Sequence, residues 1–279
     1  MRALVMGVLN VTPDSFCDGG AYFDQRHAIA RGLEMVAEGA DIVDVGGESS
    51  RPGARPVPEA EEMRRVLPVI EQLAEHVRVS VDTAKPAVAR AAVAAGATLI
   101  NDISASLAEV AAACGTGWVA MHMKGTPRDM QNDPRYADVV VEVRDFLAER
   151  AAGARRRGVS EVWIDPGIGF GKTVVHNLSL LAHCGELADL GYPLLVGTSR
   201  KSFLGRLFPL ADGSPAPPGE RIEASVATAV WAAAAGAAMV RVHDVAATVQ
   251  ALTIAGGEPD GDKRPDAPPP ALAATGRLA

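Results

Sequence analysis

Short apolar runs rich in β-branched residues alternate with longer Ala-, Leu- and Arg-rich segments over most of this 279-residue chain. The short runs predict strands and the longer segments predict helices, because strands are short and helices need ten or more residues. Eight strands are predicted, at residues 4–9, 41–45, 78–81, 98–100, 117–121, 161–164, 193–196 and 239–242. The predicted helices include 26–38, 59–75, 86–95, 139–157 and 220–235.

Strands that alternate with helices form parallel sheets, and eight such units are the number found in a (β/α)₈ barrel. We therefore predict an α/β chain with a TIM-barrel fold and long loops after the first and second strands. A doubly wound open sheet is the alternative. The barrel is expected to span residues 1–255. The tail, 256–279, is rich in Pro and Ala without periodicity, so we expect it to be disordered.

The composition excludes several classes of partner. A net charge of −7 argues against broad binding to nucleic acid or to anionic membranes. Cys17, Cys114 and Cys184 form no CxxC pair, which suits a reducing cytoplasm better than a disulfide scaffold. The longest apolar stretch, 224–240, is interrupted by Gly236, so no membrane span is predicted.

Polar residues follow all eight predicted strands, and in a barrel such positions lie together at one rim, where barrel enzymes place their active sites. One group of these residues can read the donors and acceptors of a flat, amide-bearing heterocycle. Its members are Asp82, Asn101, Asp165 and Lys201. Each of them alone is equally consistent with a helix cap or a turn, but eight successive strand ends favour a site.

A second group of residues favours an anion. The side chains of Arg51, Arg241 and His243, with backbone N–H groups of the Gly- and Ser-rich segment 46–53, suit a phosphate or diphosphate. Asn10, a hard oxygen donor beside that anion, suits Mg²⁺ better than zinc.

Seven segments, in order along the chain, closely resemble the dihydropteroate synthase family. They are residues 10–20 (NVTPDSFCDGG), 46–53 (GGESSRPG), 101–102 (ND), 121–131 (MHMKGTPRDMQ), 165–173 (DPGIGFGKT), 197–205 (GTSRKSFLG) and 241–245 (RVHDV). The resemblance implies a (β/α)₈ barrel, a homodimer and a transferase of folate biosynthesis that is a target of sulfonamides. The family's reaction joins 7,8-dihydropterin-6-ylmethyl diphosphate to 4-aminobenzoate, with Mg²⁺ assisting, and releases diphosphate and 7,8-dihydropteroate.

The resemblance also implies roles for individual residues. The expected pterin-binding residues are Asp82, Asn101, Met121, Asp165, Phe170, Gly197 and Lys201. The expected 4-aminobenzoate-binding residues are Phe16, Ser50, Arg51, Pro52 and Ser202. The expected diphosphate-binding residues are Asn10, Arg51, Arg241 and His243, with Asn10 as the metal ligand. The expected catalytic residues are Asp82, Asp165, Lys201 and Arg241.

The sequence departs from the family pattern at Ser50, where the family often has Thr, and at 103–105, where it often has a more glycine-rich turn. Two other functions stay open. A pterin-binding corrinoid methyltransferase would share the barrel but would not need the diphosphate cations Arg241 and His243. A catalytically silent paralogue is disfavoured because each proposed site residue is chemically intact.

Overall fold

The computed structural model describes residues 2–12, 21–49 and 56–256 of the chain. It contains the eight predicted strands, β1 (Leu4–Asn10), β2 (Ile42–Gly46), β3 (Arg78–Asp82), β4 (Leu99–Asp102), β5 (Gly117–Met121), β6 (Val162–Asp165), β7 (Leu195–Val196) and β8 (Met239–Val242). All neighbouring strands are parallel, in the order β6-β5-β4-β3-β2-β1-β8-β7. A parallel bridge between Ile164 and Leu194 joins the two outer strands, so the sheet closes into a barrel. The (β/α)₈ prediction is confirmed.

Helices surround the barrel. They are α1 (Ala21–Ala37), α2 (Glu59–Leu73), α3 (Pro86–Ala94), α4 (Ala108–Cys114), α5 (Val139–Arg156), α6 (Val174–Ala182), α7 (Cys184–Ala188), α8 (Ser202–Leu207), α9 (Ile222–Ala234) and α10 (Val245–Ala255). The first begins at Ala21 and not at residue 26 as predicted. Two glycines precede it, so the sequence carries no N-cap signal for this start. None of the described helices is long and apolar enough to span a membrane.

Two long connections lie at the predicted loop positions. Residues 11–20 connect β1 to α1, and residues 47–58 connect β2 to α2. Parts of both, 13–20 and 50–55, and the tail 257–279 with its predicted disorder, lie outside the described residues.

The barrel interior is apolar at one end and polar at the other. A small buried cluster fills the apolar end: Met6, Ile42, Leu99, Val119, Trp163, Leu195 and Met239. Side chains alternate across a strand, so the residue two positions later faces the same interior. On β2, β4, β5, β6 and β8 that later residue is Asp44, Asn101, Met121, Asp165 and Arg241, respectively. The polar end of the interior is therefore a direct consequence of the strand sequences.

Candidate active site

Four residues form a row across neighbouring strands at the polar rim. In the strand register Asn10 pairs with Gly46, Gly46 with Asp82, and Asp82 with Asn101. A Cβ placed on Gly46 would lie 3.5 Å from Asp82 Cβ and 3.8 Å from Asn10 Oδ1. The missing side chain therefore leaves a gap in which Asn10 and Asp82 face the same space. The strand register alone thus brings together four residues that span 91 positions of the chain, from Asn10 to Asn101.

Arg241 is at the end of β8, the strand next to β1, and its side chain reaches this row. Its Nε lies 2.6 Å from Asp44 Oδ2, and its Nη2 lies 2.7 Å from Asp82 Oδ2. The Asp44 side chain is fully buried and that of Asp82 is 13% exposed. Two carboxylates thus hold one guanidinium at the rim, with the more exposed carboxylate nearer the opening.

The amide of Asn101 is held by the same buried carboxylate. Asn101 Nδ2 donates to Asp44 Oδ2 at 2.9 Å. Within the described ranges, Asn101 Oδ1 and Asp44 Oδ1 are buried and have no hydrogen-bond partner. Buried acceptors are usually paired, so Asn101 Oδ1 is a group that a ligand N–H can satisfy.

Asp165 and Lys201 form the next part of the rim. Asp165 Oδ1 accepts a hydrogen bond from the backbone N–H of Gly167 at 2.7 Å. Lys201 Nζ donates to the carbonyl of Ile168 and lies 4.6 Å from the centroid of the Phe170 ring. The loop after β6 and the β7–α8 connection therefore bring together a carboxylate, an ammonium and an aromatic ring, as expected for a slot that holds a flat ring.

The remaining predicted pterin residues lie at the same rim. Met121 is buried at the end of β5, opposite Asp165 in the register. A Cβ placed on Gly197 would lie 3.5 Å from Arg241 Cβ and 3.9 Å from Lys201 Nζ. A larger residue at position 197 would therefore fill space between the two cations.

Burial shifts the pKa values of the charged groups at this rim. It raises the pKa of Asp82 to about 7, against the opposing charge of Arg241. Burial also raises the pKa of Asp165, against the charge of Lys201. It lowers the pKa of Lys201 to about 8, while Asp165 favours the charged form. Burial thus moves the pKa of each group from its usual value toward neutral pH, which is typical of functional sites.

His243 faces the rim from the end of β8. The Ser199 hydroxyl and His243 Nδ1 are 3.0 Å apart, and the His243 backbone N–H donates to the same hydroxyl at 3.1 Å. Ser202 is exposed at the first position of α8, directly after Lys201. The structure therefore places both residues near the predicted site without showing a ligand role for either.

Four predicted site residues, Phe16, Ser50, Arg51 and Pro52, lie outside the described residues. The two ends of the loop that carries three of them are described. Lys85 Nζ donates to Glu48, to Glu62 and to the carbonyl of Val57. One lysine on the neighbouring β3–α3 connection thus binds residues on both sides of the loop.

Two residues near the site were missed by sequence reasoning. The first is Asp44, which the two-residue alternation after Ile42 would have placed inside the barrel. The second is Lys172, a buried lysine whose Nζ lies 2.9 Å from His122 Nδ1 and 3.0 Å from the carbonyl oxygens of Gly167 and Phe170. No sequence signal marks Lys172 as buried, because lysine is almost always exposed.

The buried Lys172 lowers the pKa of its neighbour His122. Burial, and then the charge of Lys172, lowers the pKa of His122 to about 3, so this imidazole is neutral and its Nδ1 can accept a hydrogen bond from the lysine. Burial also lowers the pKa of Lys172. The pair ties the end of β5 to the loop that follows β6, and thereby supports the wall that carries Asp165 and Phe170.

Comparison with known proteins relates this rim to one enzyme family. Residues 6–243 match the model of a family described as pterin binding enzyme. The dihydropteroate synthase of Escherichia coli (strain K12) is 45% identical over 258 residues, covering 90% of this chain and 89% of the relative.

Solved structures show the same similarity. A Xanthomonas albilineans dihydropteroate synthase with 4-aminobenzoic acid has a TM-score of 0.83 and 49% identity, covering 91% of this chain and 92% of that chain. A structure of the Xanthomonas albilineans enzyme in complex with 7,8-dihydropteroate has a TM-score of 0.80, 46% identity and the same coverage. A Yersinia pestis dihydropteroate synthase with a sulfonamide drug complex has a TM-score of 0.84 and 45% identity, covering 91% of this chain and 94% of that chain.

Proposed function

This chain belongs to the dihydropteroate synthase family. We propose that its barrel rim catalyses the family's transferase reaction, and that the rim has two adjoining halves, one that binds the pterin and one that binds diphosphate. The reaction transfers a 7,8-dihydropterin-6-ylmethyl group from diphosphate to the amine of 4-aminobenzoate. It is a step of folate biosynthesis. The observation that carries the proposal is the convergence of Asp82, Asn101, Asp165 and Lys201, from four separate parts of the chain, at one end of the barrel.

In the pterin half, carboxylate and amide acceptors read the N–H groups of the ring edge. Asn101 supplies a buried Oδ1 that has no partner among the described residues, and Asp82 and Asp165 supply carboxylates. Lys201 donates to ring acceptors, with Met121, Phe170 and Gly197 as the walls. A pocket that hydrogen-bonds each polar edge of a ligand rejects analogues that lack those groups.

In the diphosphate half, Arg241 and His243 supply positive charge, and Arg51 joins them from the second loop. The side chain of Asn10 offers a hard oxygen at the open rim, beside the space that Asp82 faces. That donor fits Mg²⁺, which is commonly held by one or two protein oxygens together with substrate phosphates and water. When bound, Mg²⁺ would neutralise charge that develops on the departing diphosphate.

The bond changes need little proton transfer from the protein. The C–O bond to diphosphate breaks, a C–N bond to the amine forms, and one amine proton is lost to solvent. The methylene becomes cation-like in between, and the carboxylates of Asp82 and Asp165 would stabilise that charge. An arylamine is neutral at pH 7 and already nucleophilic, so no strong general base is required.

We further propose that Phe16, Ser50, Arg51, Pro52 and Ser202 form the 4-aminobenzoate site. Ser202 supports this assignment because it is the first residue of α8 and directly follows Lys201, so it lies next to the pterin half. Lys85 supports it as well, since its bonds to Glu48 and Val57 hold the ends of the second loop at the rim.

We propose that the chain acts as a cytoplasmic homodimer. Large apolar side chains are exposed on α6, at Val175 and Leu178, and on α9, at Trp231, which is 58% exposed. Trp231 Nε1 donates to the carbonyl of Leu181 at 3.1 Å, so these side chains share one face. Exposed apolar patches mark interaction surfaces. Light scattering after gel filtration tests the dimer, and Trp231→Glu is expected to give monomers.

A coupling assay tests the reaction. Purified protein is mixed with Mg²⁺, the pterin diphosphate and 4-aminobenzoate, and both dihydropteroate and diphosphate are measured. Stoichiometric formation of both products supports the synthase. Pterin binding without product would support the silent paralogue, and methyl transfer to a corrinoid would support the methyltransferase. In the control, Asp165→Asn should fold normally and lose pterin binding, because an amide presents a donor where the site offers an acceptor.

A further inference from the structure

One oxygen atom of Asp44 joins residues of both halves of the rim. Asp44 Oδ2 accepts from Arg241 Nε at 2.6 Å and from Asn101 Nδ2 at 2.9 Å. Its partners lie 197 and 57 positions away in the chain, on β8 and β4. The Asp44 side chain is fully buried, whereas the Arg241 side chain that it holds is 20% exposed.

These bonds fix what each partner presents to a ligand. An amide can turn to offer either its oxygen or its nitrogen, and the carboxylate of Asp44 accepts only from the nitrogen. Asn101 therefore keeps its oxygen free as an acceptor. The guanidinium of Arg241 is planar, and its bonds to Asp44 and Asp82 set the orientation of that plane.

We propose that Asp44 is a positioning residue that couples the pterin half to the diphosphate half, by holding the Asn101 amide and the Arg241 guanidinium with one carboxylate oxygen. The inference rests on the proposed function of the rim. It makes Asp44 a determinant of ligand recognition that acts through Asn101 and Arg241. A carboxylate that served only stability would change the folded fraction and leave the affinities of the folded protein unaltered.

The test uses Asp44→Asn, which keeps the size of the side chain and removes its charge. Ser80→Ala is the matched control, because Ser80 is the neighbour of Asp44 in the strand register and its buried hydroxyl has no partner within the described residues. Steady-state assays give kcat and KM for each substrate, calorimetry gives the affinity for 6-hydroxymethylpterin and for inorganic diphosphate, and thermal melting checks folding. If Asp44→Asn does not fold, Asp44→Ser takes its place.

We expect Asp44→Asn to lower kcat/KM for the pterin substrate about 10- to 100-fold and to weaken both calorimetric affinities about fivefold or more. KM for 4-aminobenzoate should stay within about twofold, and Ser80→Ala should match the wild type. In an Asn101→Ala background the effect of Asp44→Asn on pterin affinity should fall below about twofold. In an Arg241→Ala background the same should hold for diphosphate, because coupled residues are not additive.

Three results would overturn the inference. Unchanged affinities in folded Asp44→Asn would make Asp44 a purely structural residue. Equal effects with and without Asn101 and Arg241 would make its influence a general effect of charge. Tighter diphosphate binding would mean that repulsion by Asp44 outweighs the orientation of Arg241. A wild-type protein without synthase activity is a different outcome, because it would refute the proposed function. The calorimetric affinities for 6-hydroxymethylpterin and diphosphate would then still test the positioning role of Asp44.

Discussion

Removal of the Arg241 guanidinium should destabilise the fold by an amount that depends on pH. Arg241→Met keeps most of the side-chain volume and removes both ion pairs, at 2.6 Å to the fully buried Asp44 and 2.7 Å to Asp82. Removing one partner of a buried ion pair typically lowers the free energy of unfolding by about 3–5 kcal/mol. The full effect requires that both carboxylates stay charged.

The protonation of Asp82 decides how much of that effect appears. Its pKa is about 7 in the folded protein, even with the opposing charge of Arg241, and about 3.9 in an unfolded chain. Between those values the folded state binds more protons than the unfolded state, so the free energy of unfolding falls as pH rises. Without Arg241 the folded-state pKa is higher still, and the fall continues to higher pH. Each unit by which the loss of Arg241 raises the pKa of Asp82 adds about 1.4 kcal/mol of destabilisation at pH values above the raised pKa.

We therefore expect Arg241→Met to lower the free energy of unfolding by about 3–5 kcal/mol at pH 8 and by less at pH 5, where Asp82 is already protonated. Urea unfolding at pH 5, 6.5 and 8, followed by the fluorescence of the buried Trp118 and Trp163 and by circular dichroism, measures both values. Arg78→Met is the control. It breaks a part-exposed pair with Glu161, at 2.6 Å, at the other end of the barrel, and should change stability by less than about 1 kcal/mol. Equal destabilisation by Arg241→Met at pH 5 and pH 8 would refute proton uptake by Asp82.

Three further predictions concern lysines around the site. Because the pKa of Lys201 is about 8, pterin affinity measured by calorimetry should weaken from pH 7 to pH 9 as the ammonium deprotonates, and a Lys201→Gln protein that keeps this pH dependence would contradict the assignment. Lys172→Met leaves buried carbonyl acceptors without their donor, so urea unfolding should show a free energy of unfolding that is lower by about 2–4 kcal/mol. In the same variant, kcat/KM for the pterin substrate should fall more than kcat/KM for 4-aminobenzoate. Lys85→Met frees both ends of the second loop, so steady-state kinetics should show KM for 4-aminobenzoate raised about 5- to 20-fold with KM for the pterin unchanged; equal changes in both KM values would count against a local role for Lys85.

Much of the candidate site could be predicted because it depends on strand ends. In a parallel barrel each strand finishes at the same rim, so the polar residue after each apolar run is placed there without knowledge of the strand order. Asp82, Asn101, Asp165 and Lys201 follow from that rule, and the structure brings all four to one end of the barrel. Residue types at strand ends and their order along the chain were sufficient for this part.

The sequence by itself determined the fold class, since its alternating strand and helix patterns have a local physical cause in side-chain periodicity and capping. It also determined family membership, through motifs that are continuous in the chain. Only the tertiary structure decided which charged groups pair, because that depends on closure of the barrel. Asp44 and Arg241 are 197 positions apart, and they meet at 2.6 Å only because β1 lies between β2 and β8 in the closed sheet. The burial of Lys172 and the pKa shifts of Asp82 and Lys201 have the same origin, since desolvation is a property of the packed surroundings of a residue and not of its neighbours in sequence.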